Sequence, residues 1–195
     1  MYSWSDATVR TRIVPDASLQ EYKGHSVLLR ALALGGPVMD RIELELIGGG
    51  ELLDELTALA AELGLADRVN FRGSCTEDEV RAALAACDVF VLPSIVASDG
   101  QMEGLPVALM EALACGAPTV STRLSGIPEL IVDGVTGFLA EPGDPTSLRD
   151  AMTSALTASG AEQRSAAGRN LVEDEFELSK CVEELGEKLD SLARA

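Results

Sequence analysis

The sequence predicts an α/β domain built on a parallel sheet. Two observations carry that prediction: short apolar strand-like runs alternate with amphipathic helical segments along the chain, and 195 residues with 47% hydrophobic content fit one domain able to bury a core. Charged residues make up 24%, an ordinary share for a globular protein.

The elements follow in order. A first strand is expected around Thr8 to Val14, then a turn at Pro15-Asp16-Ala17-Ser18. After Lys23-Gly24, residues Val27, Leu28, Ala31 and Leu32 share one face of a helix that Gly35-Gly36-Pro37 ends. Ile42 to Ile47 reads as a strand that runs into Gly48-Gly49-Gly50. Leu52, Leu56, Leu59, Ala60 and Leu63 form the stripe of the next helix, capped by Gly64. Val69 to Arg72 is a short strand ending at Gly73. Thr76 with Glu79 three residues on is a capping-box pattern.

Asp88 to Leu92 is the most apolar strand, and Pro93 stops it. A polar loop from Ser94 to Met102 leads to Gly104-Leu105-Pro106, which opens an alanine-rich helix ended by Gly116. Pro118 to Ser121 and Thr136 to Ala140 read as the last strands, with a short helix from Ser125-Gly126-Ile127-Pro128-Glu129 between them. Asp144-Pro145 then begins a helical tail that continues to the chain end. Within it, Val182, Leu185, Leu189 and Leu192 line up at helical spacing.

Bulk properties exclude several function classes. A formal net charge of -17 repels nucleic-acid backbones and anionic lipid alike. No apolar stretch approaches the ~20 residues of a membrane span, and no basic region followed by an apolar run opens the chain. Cys75, Cys87, Cys115 and Cys181 show no CxxC spacing, and His25 is the lone histidine. The four cysteines therefore read as reduced, buried thiols in a cytoplasmic protein, and no metal site is expected.

In an open parallel sheet, ligands bind where strand carboxyl ends meet helix N-termini. Gly48 to Gly50, the loop to Gly104 and the turn before Lys23 all occupy such places. The triple glycine lets backbone approach a ligand closely, or simply makes a tight turn. It is neither GxGxxG nor a P-loop, since Glu51-Leu52-Leu53 follows. Pro106 suits a first helical turn, which leaves the Gly104 and Leu105 amides at a positive helix end fit for a diphosphate. Glu103 stands just before that helix. Glu111 lies inside it, and its carboxylate can accept two hydrogen bonds from vicinal ribose hydroxyls. Each glutamate taken alone is more often a solvated surface residue.

Glu103 and Glu111, with seven residues between them, match the EX7E motif, and the surrounding segments extend the match. Pro93-Ser94, then Asp99-Gly100-Gln101-Met102-Glu103-Gly104-Leu105-Pro106, Glu111-Ala112, Gly116-Ala117-Pro118-Thr119-Val120, Ser125 to Glu129, Asp133-Gly134 with Gly137, and Pro142-Gly143-Asp144 resemble the family 4 glycosyltransferases in order and spacing from about residue 8 to 175. The members that build bacterial exopolysaccharides are the most similar. The resemblance implies a Rossmann-like three-layer domain spanning 1–195, with a helical tail from about 145 to 195, equivalent to the C-terminal, donor-binding half of a GT-B fold.

It also implies retaining transfer of a sugar from a UDP- or GDP-linked donor to an acceptor hydroxyl, with no separate cofactor and no metal. Carried onto this chain, Glu103 faces the donor sugar hydroxyls as the catalytic residue. Glu111 binds the donor ribose, Gly104 and Leu105 meet the diphosphate, and Lys23 pairs with phosphate. Gly48, Gly49 and Gly50 turn beside the nucleotide, and Arg72 to Cys75 line the base. Two departures stand out. Ser18 falls where the family has an arginine, a loss of one charge-assisted contact worth about 1.5–3 kcal/mol, and Arg12 reaches the site only if the first loop takes a changed path. Glu51 replaces a proline after the glycine turn.

The amino-terminal GT-B domain is expected as a partner, in cis or in trans, because the family's active site lies between two domains. The chain alone is then expected to hold donor without transferring sugar, in the cytoplasm and at the inner membrane face in the full-length enzyme. The runner-up is a non-catalytic nucleotide-binding or partner-docking module of a split enzyme. A homodimer through the C-terminal stripe is a further expectation. A flavodoxin-like domain would need a flavin or phosphoacceptor loop at the first strand end, and neither is visible.

Overall fold

The computed structural model describes residues 9–13 and 19–193. Six parallel strands form one sheet: β1 (Val9–Ile13), β2 (Ile42–Ile47), β3 (Val69–Gly73), β4 (Val89–Val91), β5 (Thr119–Thr122) and β6 (Phe138–Ala140). Their spatial order is β3-β2-β1-β4-β5-β6, the doubly wound order whose switch point lies between β1 and β4.

Strand alternation splits the core in two. Val89 and Val91 of β4 join one apolar cluster, while Phe90 and Leu92 join the other. The first cluster takes its helical side chains from α1 (His25–Ala33), α2 (Leu53–Glu62) and α6 (Pro145–Thr157). The second takes them from α3 (Glu77–Ala86), α4 (Val107–Ala114) and α5 (Ile127–Leu130), with Val172 and Phe176 packing on it from α7 (Ala161–Glu175) and its end. Three layers result, as expected. Val27, Leu28, Ala31 and Leu32 are all buried on α1.

Local chemistry sets the helix starts. Thr76 and Glu79 make the reciprocal capping box before α3. The Asp144 carboxylate accepts from the Thr146 and Ser147 amides at 2.8 and 3.1 Å before α6. Pro106 differs from expectation: with ψ of 121° it is the extended residue before α4, and the helix begins at Val107.

The tail is three helices rather than one. Ala158 turns extended after α6, and Gly160 at φ 81° starts α7. A break at Phe176 precedes α8 (Leu178–Ala193). On α8, Leu178, Val182, Leu185, Leu189 and Leu192 are all exposed, so the stripe does not pack on the sheet. Cysteines also differ from expectation. Cys75, Cys87 and Cys115 form no disulfide but are only half-buried, and Cys181 is exposed.

Candidate functional site

The crevice at the carboxyl ends of β1 and β4 brings together two segments far apart in sequence. One is the 3-10 turn Glu21–Lys23, which leads through Gly24 into α1. The other is the loop from Pro93 to Pro106. The Ile95 amide donates to the Tyr22 carbonyl at 2.8 Å. Glu21 accepts from the Ser98 amide at 3.0 Å and from its hydroxyl at 2.7 Å.

Gly24 is the contact point. It sits at φ 72°, and a Cβ there would lie 1.9 Å from the Pro93 carbonyl oxygen. Only glycine lets the two loops meet this closely.

That closure buries Lys23 and aims it across the crevice. The Lys23 ammonium makes an ion pair with the Glu103 carboxylate, the side chains being 4% and 12% exposed. It also lies 5.2 Å from the centre of the Tyr22 ring. The Glu103 Oε1 atom is buried, and among the described residues the Lys23 ammonium is the polar group it meets. The pair was not anticipated from sequence. The available signal was an unmatched lysine and an unmatched glutamate in the loops after strands that a doubly wound sheet makes adjacent.

Gly104 and Leu105 follow Glu103 and precede α4. Their amides make no hydrogen bond among the described residues. The first α4 amide to bond back within this segment is Leu109, to the Pro106 carbonyl at 3.1 Å. The crevice thus offers one buried ammonium and a row of outward amides, an arrangement suited to an anion. Gly126 fixes the loop from behind by donating to the Gly104 carbonyl at 3.2 Å.

Glu111 lies one turn further along α4 and is exposed. It borders a groove of about 290 Å³ between α3 and α4, which Glu77, Val80, Arg81, Leu84, Ala114 and Cys115 also line. Glu103 and Glu111 therefore occupy different stations, one inside the crevice and one in the groove beside it. A larger concavity of about 380 Å³ lies on the amino halves of β2 and β3, away from the crevice, lined by Glu43, Glu45, Asp67 and Arg68 among others.

The glycine turn serves the fold in part. A Cβ on Gly50 would stand 2.4 Å from the Leu19 amide nitrogen, and the Leu19 amide donates to the Gly49 carbonyl at 2.7 Å. The Gly48 amide donates to the Gly73 carbonyl at 2.8 Å. Close approach at Gly50 is thus to the chain's own backbone, while a Cβ on Gly49 would have nothing nearer than the Ser74 hydroxyl at 3.9 Å. Arg72 is engaged by Glu45 at 3.1 Å and reaches Glu79 at 4.0 Å. Ser18 and the Arg12 side chain lie outside the described residues.

Two further polar groups at the crevice were missed. Ser94, at the end of β4, is fully buried and its hydroxyl has no partner, while its carbonyl accepts from Thr122 at 2.6 Å. His25 opens α1 and is 2% exposed. The Gln20 carbonyl faces its ring, but neither ring nitrogen makes an aligned hydrogen bond. Burial, then the Lys23 charge, push the His25 pKa down to about 4, so the ring is neutral at neutral pH. Among the described residues no group of three or more His, Cys, Asp or Glu side chains is placed to hold a metal ion.

A doubly wound sheet with open helix-start amides at its switch point is the architecture in which nucleotide-binding domains hold their ligands. The comparisons narrow it. Glycosyl transferases group 1 match residues 13–172, and the chain belongs to that family. It is 40% identical over 184 residues to the amylovoran biosynthesis glycosyltransferase AmsK of Erwinia amylovora, covering 93% of this chain and 45% of that protein. It is 36% identical over 182 residues to the putative colanic acid biosynthesis glycosyltransferase WcaL of Escherichia coli, covering 92% and 45%.

Among solved structures, Anabaena HepE in complex with UDP-glucose matches with a TM-score of 0.79 and 26% identity, over 96% of this chain and 50% of that one. The C-terminal domain of LpcC from Francisella tularensis shares the fold, with a TM-score of 0.73 over 88% of each chain. The chain spans about half the length of the relatives it matches, and it is a C-terminal GT-B domain. Among the described residues no helix is long and apolar enough to cross a membrane.

Proposed function

We propose that this domain holds a UDP- or GDP-linked sugar for retaining transfer to an acceptor hydroxyl. The observation that carries the reading is the convergence of Lys23, Glu103 and the free amides of Gly104 and Leu105 on one crevice at the switch point. In this arrangement the diphosphate lies at the start of α4 against Lys23. Glu103 faces the sugar hydroxyls, Glu111 takes the ribose from the α3–α4 groove, and Gly49 is the open member of the glycine turn. The donor needs no metal or separate cofactor in this arrangement, because ammonium and amides supply the positive field. The relatives' names support polysaccharide assembly as the setting.

Transfer requires the acceptor side of the cleft, which the amino-terminal half of GT-B enzymes provides, in cis or in trans. The domain alone binds donor and does not turn it over. A cytoplasmic working place, at the inner membrane face for the assembled enzyme, goes with this reading. The exposed α8 stripe supports docking of that helix on a second copy, and a light-scattering mass that stays monomeric at all concentrations would remove that part.

The test is calorimetric titration with UDP, GDP and their sugar conjugates, beside Glu111→Ala. Saturable binding of one nucleotide, lost in the variant, is the expected result. Absence of binding at millimolar ligand would refute the reading.

A further inference from the structure

We propose that Glu103 and the donor's diphosphate are alternative counter-ions of Lys23, so that donor binding displaces Glu103 from the ammonium and delivers its carboxylate to the sugar. The inference rests on the donor-binding reading above and concerns how that site is regulated before and during loading.

Lys23 is almost wholly buried, and a buried ammonium requires an anion. Among the described residues that anion is Glu103, one residue before the amides of Gly104 and Leu105. A diphosphate bound at those amides therefore arrives directly beside the carboxylate. Three or more negative charges cannot share one poorly hydrated ammonium without repulsion, so either the phosphate or Glu103 yields.

The geometry points to Glu103 as the group that yields. Its buried oxygen has no aligned hydrogen bond to anchor it, whereas the phosphate gains several amides besides the ammonium. Its side chain keeps 12% of its surface exposed, against 4% for Lys23, so it is the member of the pair with access to solvent. Once displaced, the carboxylate has lost its cation, and sugar hydroxyls restore its hydrogen bonds. A nucleotide without its sugar leaves the carboxylate unpaired. The same residue thus opposes phosphate and rewards sugar, so that the site favours the intact donor over the spent nucleotide.

The experiment measures binding of inorganic pyrophosphate, UDP, GDP and their glucose and mannose conjugates to wild type and Glu103→Gln by calorimetry, with melting curves of the ligand-free proteins. Ligand-free Glu103→Gln melts below wild type, because Lys23 has lost its anion. It binds pyrophosphate on the order of tenfold more tightly, equivalent to about 1.4 kcal/mol, and loses the preference for conjugate over free nucleotide. If Glu103→Gln does not fold, Glu103→Asp, which keeps the charge on a shorter stem, is expected to bind pyrophosphate more tightly than wild type by a smaller factor.

Equal or weaker pyrophosphate binding by the variant, or no pyrophosphate binding by either protein, overturns the proposal. Nucleotide binding by wild type with no gain in the variant refutes the exchange and leaves donor binding standing. A gain for pyrophosphate with no nucleotide bound by either protein supports the exchange and refutes donor binding.

Discussion

Replacing Gly24 by alanine tests whether the contact between the first and fourth loops holds the crevice together. Two penalties add at this position. The backbone sits at φ 72°, where an L side chain costs about 1–2 kcal/mol. The new Cβ would also fall 1.9 Å from the Pro93 carbonyl oxygen. The loops must part by more than about an ångström to relieve that overlap, since contacts below roughly 3.3 Å between such atoms are repulsive. Gly64 separates the two terms, because it has φ 70° with nothing within 4 Å of an added Cβ. Gly64→Ala therefore measures the backbone term alone, at about 1–2 kcal/mol. Gly24→Ala adds overpacking of typically 1–3 kcal/mol, for a total of about 2–5 kcal/mol. Urea denaturation of both variants at one pH, with equal slopes required, gives the difference directly. Equal losses in the two variants, within about 0.5 kcal/mol, would show that the loops do not bear on each other at Gly24.

Other perturbations have defined signs. His25 has its folded pKa depressed to about 4 from the ordinary 6.5, so below pH 6.5 the unfolded chain takes up the proton first. Stability is then full above pH 6.5 and falls as pH drops towards 4, by about 3 kcal/mol in all; urea midpoints of wild type and His25→Leu across that window should converge as pH falls, and parallel curves would reject the assignment. Lys23→Met leaves the Glu103 carboxylate without its cation and should cost about 2–3 kcal/mol in denaturation, less than a fully buried pair because Glu103 is partly solvated. Thr76→Ala removes the α3 cap and should cost about 1 kcal/mol while leaving nucleotide binding unchanged.

How far the sequence could be read depended on whether a feature was local. The capping box at Thr76, the apolar face of α1 and the stop at Gly64 depend on residues a few positions apart, and each formed as expected. The EX7E pair and its neighbours fixed the family because their order survives as a string. What was hidden depended on chain segments meeting in space. Gly24 against Pro93, Gly50 against Leu19, and Lys23 against Glu103 are contacts between loops whose strands become neighbours only in the assembled sheet. The triple glycine has a second partner that a local reading does not show: a Cβ on Gly50 would meet the backbone of Leu19, a residue of the neighbouring loop. The tail misled for a subtler reason. Its polarity is helical throughout, and the extended Ala158, the positive φ of Gly160 and the non-helical Phe176 are what divide it.

The position of β1 also has a consequence in time. The first strand of this domain is a central one, with Val9 to Ile13 paired along one edge to β2 and Thr11 and Arg12 paired along the other to β4. During synthesis the β2 edge can close early, but the β4 edge stays open until α2, β3 and α3 have all emerged. For that interval a nascent chain carries an unprotected strand edge, the usual template for mispairing with another copy. Long-range parallel pairing of this kind also folds slowly. Chains halted between β3 and β4 are therefore the ones expected to need a chaperone, and a truncation there should aggregate where one after α7 stays dispersed.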